Sequence, residues 1–314
     1  MQTDVLDVLI VGAGPAGMTA GLYAARAGEK VLVLEKETPG GQIVFSPQVD
    51  NYPALPHVAG TEFAESLQTQ LEESGALLRY EEALSIRRDG AYWTVRTDAD
   101  SYTARCVVLA AGTRHRTLGL PGEEDLVGAG VSYCAVCDGP FYRGQDAAVI
   151  GGGDTALQDA LFLSGICRRV YLVHRRDGFR GEKALQDQVR KKENIVLIMS
   201  SVPEAFHQEN GSLAGLTVRN RDSGAAEDLM VQAVFVAIGS DPQTEAFAPL
   251  LGLSGADYLP AEEDGTTSLP GLFAAGDCRA KGLRQLATAI GDGASAGMAA
   301  ARYADALRFT EGRA

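Results

Sequence analysis

The stretch Asp7–Lys36, "DVLIVGAGPAGMTAGLYAARAGEKVLVLEK", decides the fold. An apolar run, Val8–Val11, leads into a glycine triplet, Gly12, Gly14 and Gly17. A helical pattern follows, then a second apolar run, Val31–Leu34, that stops at Glu35. The order is strand, glycine turn, helix, strand. The helix is expected to reach about Ala27, with Gly28 as its C-cap. Gly12 permits the tight turn, Gly14 lets a pyrophosphate approach the backbone, and Gly17 lets the helix pack on the strand. The helix N-terminus offers free N–H groups and positive potential to phosphates. Glu35 can accept hydrogen bonds from an adenosine ribose. A glycine triplet alone also suits a tight turn in some other α/β protein; strand, helix and terminal acid together make it specific.

The pattern occurs twice. In "AAVIGGGDTALQDALFLSGICRRVYLVHRRDGFR", Ala147–Arg180, the triplet becomes Gly151, Gly153 and Ala156, with Thr155 at the helix start. The interval from Gly12 to Glu35 is 23 residues, and so is that from Gly151 to His174. His174 replaces the acid, and Arg175, Arg176 and Arg180 follow. A carboxylate would repel a ribose 2′-phosphate, whereas guanidiniums bind it bidentately. The first copy therefore suits an unphosphorylated adenosine and the second NADPH. The plainer reading of the arginines is a solvated helix start. Each copy is followed by alternating segments, Arg79–Arg105 and Ile195–Ala233, which read as antiparallel meanders packed on parallel sheets. The fold class is α/β, with two Rossmann-like, three-layer ββα domains. Two such folds in one chain imply hydride traffic between two nucleotides.

Bulk properties narrow the class. A chain of 314 residues suggests about two domains. A net charge of −13 disfavours nucleic-acid partners. No run reaches the ~18 apolar residues that span a bilayer, and the start does not read as a signal peptide. A cytoplasmic protein without membrane contact is expected.

Of five cysteines, only Cys134 and Cys137 are close in sequence, in "SYCAVCDGPF", Ser132–Phe141. A zinc ribbon needs a second CxxC or paired histidines, and the four histidines are scattered. A CxxC disulfide closes a small ring and opens readily; its thiolate is the nucleophile, and a neighbour must manage the proton. Asp138 is the nearest candidate, if partly buried. Asp138-Gly139-Pro140 is equally turn chemistry. Cys106, Cys167 and Cys278 read as small buried apolar residues. Near the end, "LPGLFAAGDC" reads as a strand finishing at Gly276-Asp277. An aspartate there can bond a sugar-alcohol chain. The helix starting near Arg284-Gln285 would aim its positive end at an anion such as that of a reduced flavin, or would simply pack by its small residues.

The order of "GAGPAG", "GGQ" with "NYP", "AAGT", "CAVCDG", "GGGDTA", "HRRDGFR", "AAGD" and "RQ" resembles the low-molecular-weight, bacterial-type thioredoxin reductases over about Asp7–Leu307. The resemblance implies an FAD domain, residues 1–117 and 243–314. An NADPH domain, residues 118–242, is inserted in it and carries the CxxC. It implies FAD contacts at Gly12, Gly14, Gly17, Glu35, Gly41, Gln42, Asn51, Gly112, Asp277, Arg284 and Gln285. It implies NADPH contacts at Gly151, Gly153, Thr155, His174, Arg175, Arg176 and Arg180. Cys137 would lie against the flavin, Cys134 would attack the partner disulfide, and Asp138 would act as acid and base. Thioredoxin would be the partner, and the enzyme a homodimer whose domains rotate. No metal is implied. The chain departs from the family pattern where partners dock: "LVGAGVS" carries no basic residue, and Pro140 precedes Phe141. Gln158-Asp159 replaces an acidic pair. Phe45 and Pro47 stand where relatives often have threonines. A flavin dithiol oxidase, a ferredoxin-fed reductase, NADH use and a non-catalytic redox sensor are the competing readings. The intact second nucleotide motif opposes the first two, and the intact Cys134, Cys137 and Asp138 oppose the last.

Overall fold

The computed structural model describes residues 5–46, 48–253 and 257–311. The chain forms two compact units, Met1–Arg114 with Asp241–Ala314, and His115–Ser240 inserted between them. Elements are numbered in chain order through both.

In the first unit, β1 (Leu6–Val11), β2 (Val31–Glu35), β3 (Leu77–Tyr80), β4 (Ala83–Asp89), β5 (Tyr92–Thr97), β6 (Ser101–Leu109) and β17 (Leu272–Ala274) form one sheet. Its order is β3-β2-β1-β6-β5-β4, with β17 also on β6. β1 is central, with Val8 paired in parallel to both Val31 and Cys106. Side chains alternate across a strand, so Val8 and Ile10 face one way and Leu9 and Val11 the other. Val8 and Ile10 enter a core with Met18 and Ala20 of α1 (Pro15–Arg26) and Ala296 and Ala300 of α6 (Leu286–Glu311). Leu9 and Val11 pack with Trp93 and Val95 of β5. These are the three layers that the strand–turn–helix pattern demands. α2 (Gly60–Glu73) adds Phe63, Leu67 and Leu71 to the helical side.

The first meander differs from its expected form. It is not a separate sheet laid on the parallel one, because β6 belongs to both. Ala104 pairs antiparallel with Trp93 and parallel with Leu6, and the rest of β6 continues beside β1 and β17. Nine residues of β6 are long enough to serve both ladders. Leu77–Tyr80, at the start of the alternating region, pairs parallel with β2.

The linking segments Thr113–His115 (β7) and Ser240–Pro242 (β16) pair with each other. In the second unit, β8 (Val131–Ser132), β9 (Asp146–Gly151), β10 (Arg169–Val173), β11 (Ile195–Ile198) and β15 (Ala233–Ala237) form a sheet of order β11-β10-β9-β15-β8. On one face, Ala156, Leu157, Ala160 and Leu163 of α4 (Asp154–Ser164) and Val189 of α5 (Lys183–Arg190) pack on Val149, Leu172 and Phe235. On the other, the three-stranded sheet β12 (Ser201–Glu209), β13 (Ser212–Asn220) and β14 (Ala226–Leu229) packs Leu213, Leu216 and Val218 against Ile150, Val173 and Val234. Here the meander is a sheet of its own, as its sequence reads. Ala135 of the four-residue helix α3 (Ala135–Asp138), after β8, joins the α4 core. Among the described residues no helix is long and apolar enough to cross a membrane.

Candidate functional site

Three groups of residues carry chemistry, and each lies within one unit. In the first, the β1–α1 turn is built by backbone contact. Gly12 has φ +102°, and a Cβ on it would collide with the Ala110 carbonyl; a Cβ on Gly17 would collide with the Gly12 carbonyl. Nothing lies within 4 Å of the Cβ direction at Gly14, so that face is open for a phosphate. Glu35 is buried, and its carboxylate holds the turn: Oε2 accepts from Ala13 N at 2.7 Å and Oε1 from Glu37 N at 2.9 Å. Each oxygen keeps a lone pair for a ribose hydroxyl.

The structure brings the remaining expected residues of this unit to the same end of the sheet. Gly40 N donates to Ala13 O at 2.8 Å, which sets Gly41 beside Gly14. Gln42 Nε2 donates to Thr113 O at 2.7 Å, next to Gly112. Asn51 Nδ2 donates to Gln285 Oε1 at 3.0 Å across 234 residues of sequence. Asp277 Oδ1 is buried, 3.3 Å from Lys281 Nζ but without a hydrogen bond, so its acceptor capacity is unspent. Arg284 is fixed by the carbonyls of Asp277 (3.2 Å) and Arg279 (3.3 Å), with its guanidinium 3.9 Å from the Tyr258 ring centroid.

Sequence reasoning missed what holds this end together. Asp292, in the "GDG" of α6, accepts from Gly276 N (3.1 Å), Arg279 (3.0 Å) and Lys281 (3.0 Å). A carboxylate between two glycines in the small-residue part of the helix was the available signal. That small-residue face packs directly on α1: a Cβ on Gly293 would meet the Ala16 carbonyl.

The second group follows β9. Gly153 caps α4 and its Cβ direction is open, with Thr155 exposed in the first turn. His174 lies under the turn, its ring stacked on Phe179 at 5.5 Å and pressed against Gly152. Burial pushes its pKa down, against a backbone hydrogen bond at Gly178 that raises it and with the nearby charges of Arg180, Arg176 and Arg175 adding to the lowering. Its Nε2 is buried without a partner. Arg180 N donates to Gly152 O at 2.8 Å, tying the arginine loop to the glycine turn. Arg175, Arg176 and Arg180 are exposed, and among the described residues none makes an ion pair. Arg221, which the sequence did not single out, donates to Arg175 O at 3.1 Å.

The third group is the CxxC. Cys134 and Cys137 form a disulfide with Cα atoms 5.3 Å apart. Cys134 caps α3, and Cys137 N points at Cys134 Sγ (3.2 Å). Asp138 closes α3 and runs into the 3-10 turn Gly139–Tyr142, so this segment is helical. Burial raises the Asp138 pKa, and a hydrogen bond from Ser132 pulls the other way. Cys106, Cys167 and Cys278 are buried and unbridged, as small apolar residues should be.

A model of the pyridine nucleotide-disulphide oxidoreductases matches residues 6–293. The chain belongs to that family. Over 307 residues it is 39% identical to the thioredoxin reductase of Listeria monocytogenes, covering 98% of this chain and 96% of the relative. It is 41% identical over 310 residues to that of Treponema pallidum, covering 98% and 100%. The crystal structure of thioredoxin reductase from Streptococcus pyogenes matches with a TM-score of 0.92 at 39% identity, over 96% of this chain and 99% of that one.

The departures read from the sequence fall on both exposed and buried positions. Phe45 is 68% exposed and Phe141 40%. Pro47 lies outside the described residues. Asp159 is largely buried on α4, and burial pushes its pKa up to about 7. Its folded pKa lies above the unfolded value, so stability present at low pH is lost as pH rises toward 7. Asp159→Asn is therefore expected to gain stability over the parent as pH rises from 5 to 8, by an amount on the order of 1–3 kcal/mol at pH 8. Thermal or urea unfolding at both pH values checks this; a pH-independent difference contradicts it.

Proposed function

We propose that this chain is an NADPH-dependent, FAD-containing thioredoxin-disulfide reductase of the cytoplasm, a homodimer working through the Cys134–Cys137 dithiol. The observation that carries the reading is the disulfide of that pair and what surrounds it. The disulfide sits beside a partly buried carboxyl of raised pKa, in the same unit as a nucleotide turn with three exposed arginines.

The residues fit both cofactors. The first unit supplies the FAD site: the open face at Gly14, with Gly12 and Gly17 shaping the turn, and Glu35 for the adenosine ribose. Gly41, Gln42, Asn51, Gly112, Arg284 and Gln285 flank it, and Asp277 has an unspent buried oxygen for a sugar-alcohol chain. The second unit supplies the NADPH site: Gly151, Gly153 and Thr155 for the pyrophosphate, and His174, Arg175, Arg176 and Arg180 for the 2′-phosphate. FAD held by these residues would supply two-electron chemistry between a nicotinamide hydride and a disulfide.

The protein's own groups do the rest. Cys137 takes up the electrons and Cys134 is the sulfur presented to the partner. The Cys137 N–H directed at Cys134 Sγ favours the thiolate there. Asp138 holds the proton that the departing partner thiolate needs. The chain–partner exchange is two-electron and balanced: enzyme dithiol plus thioredoxin disulfide gives enzyme disulfide plus thioredoxin dithiol. The reading is tested by purifying the protein, recording the flavin spectrum, and following NADPH consumption with and without oxidised thioredoxin. Consumption that depends on thioredoxin supports it; a colourless protein, or consumption indifferent to thioredoxin, overturns it.

A further inference from the structure

We propose that Ser132 is a positioning residue for the acid–base group of the dithiol, fixing Oδ1 of Asp138 as the oxygen that carries the moving proton. This rests on the proposed role of Asp138 in disulfide reduction. Ser132 is 3% exposed and its backbone is held in β8, opposite Phe235 of β15. Its hydroxyl touches both ends of the redox motif. Oγ accepts from Cys134 N at 3.0 Å and donates to Asp138 Oδ2 at 2.6 Å.

A hydroxyl has one hydrogen to give. The two acceptors within reach are Asp138 Oδ2 at 2.6 Å and Cys134 O at 3.4 Å. The shorter distance is that of a hydroxyl donating to a charged carboxylate. The hydrogen therefore goes to Oδ2, and the Cys134 N–H occupies a lone pair of Oγ. Oδ2 is thus already engaged. Oδ1 is buried and has no hydrogen-bond partner. It is the oxygen available to take or release a proton.

The exchange then balances as follows. The Cys134 thiolate attacks one sulfur of the thioredoxin disulfide. The partner's S–S bond breaks as the mixed disulfide forms, and the expelled thiolate takes the proton from Asp138 Oδ1. Ionised Asp138 next takes the proton of Cys137. The Cys137 thiolate attacks Cys134 Sγ, and the second partner thiolate leaves with that proton. Asp138 ends ionised beside the re-formed disulfide. Ser132 donates to Oδ2 throughout and holds the carboxyl plane in one orientation relative to the Cys134 backbone.

The surroundings leave Ser132 as the main polar influence on Asp138. Tyr142, in the following 3-10 turn, feels the Asp138 charge, which adds to burial in raising its own pKa. On the α4 side, Gly139 faces the apolar side chains of Phe162 and Leu163; the carboxylates of α4 are Asp154 and Asp159. Burial raises the Asp138 pKa, and the Ser132 bond lowers it. Removing the hydroxyl must therefore move that pKa further up.

The test uses the full-length protein with its flavin, as wild type, Ser132→Ala, Ser132→Thr and Asp138→Asn. Infrared titration of the protonated-carboxyl band, with Asp138→Asn as the background, reads Asp138 directly and needs no partner. Ser132→Ala should displace the titration upward by about one pH unit, and Ser132→Thr should restore it. The rate of thioredoxin reduction by the prereduced enzyme should fall about tenfold in Ser132→Ala, with its pH profile shifted in the same direction. Flavin reduction by NADPH should stay unchanged, which also shows that the fold and cofactor site survive. An unshifted carboxyl titration in Ser132→Ala overturns the proposal. Failure of the wild type to reduce thioredoxin would overturn the proposed function instead, and the infrared result would still decide the role of Ser132.

Discussion

Cys137→Ser is expected to lower thioredoxin reduction by more than about 10³-fold while NADPH still bleaches the flavin at close to the parent rate. The two halves of the reaction use different residues of the second unit. Nucleotide binding at Gly153 and the arginine loop involves neither sulfur. A single thiol, by contrast, cannot carry two electrons as a disulfide. In Cys137→Ser the remaining Cys134 can attack a partner disulfide but has no neighbour to resolve the product. A mixed disulfide with thioredoxin should accumulate, visible by mass on a non-reducing gel. Cys134→Ser should be as inactive but should trap nothing. Trapping by Cys134→Ser instead would reverse the assignment of attacking and resolving sulfurs. Loss of flavin reduction in both would mean that the CxxC supports the nucleotide site rather than following it in the reaction.

The second large effect concerns the nucleotide. Arg175→Ala with Arg180→Ala should reduce kcat/KM for NADPH by about 10²- to 10³-fold and for NADH by less than about threefold. Each hydrogen bond to a charged group contributes about 1.5–3 kcal/mol, and 1.4 kcal/mol is a factor of ten. Both guanidiniums are exposed, so the lower end of that range applies. Among the described residues neither arginine is held by an acidic partner, and the loop is tied to Gly152 through the backbone of Arg180, which alanine retains. The fold of the loop should therefore survive. The change should appear in KM, because the 2′-phosphate is bound alike before and during hydride transfer. Steady-state kinetics with both nucleotides checks this; equal losses would remove the phosphate assignment.

Much of this was legible in the sequence because glycine turns leave a local signature. The structure shows the backbone crowding that requires glycine at Gly12 and Gly17, while at Gly14 the Cβ direction is open, as the approach of a phosphate needs. The long-range features were not legible. Asn51 meets Gln285, and Asp292 gathers Gly276, Arg279 and Lys281, only because α6 returns to pack on α1. The role of β6 was hidden for a related reason. Alternation marks a strand but does not say that one strand will pair in opposite senses with two neighbours. Ser132 was quoted as the first residue of the CxxC stretch, yet its contact with Asp138 depends on the turn of α3. Burial of Asp138, which its role requires, likewise became visible only in three dimensions.

The most direct test of the central claim is anaerobic stopped-flow absorbance of the flavin band in two stages. The purified protein is mixed first with NADPH and then with oxidised thioredoxin. Rapid bleaching by NADPH, slower bleaching by NADH, and return of the oxidised band on adding thioredoxin are the results predicted. Bleaching that thioredoxin does not reverse, or no bleaching by NADPH, would contradict the account.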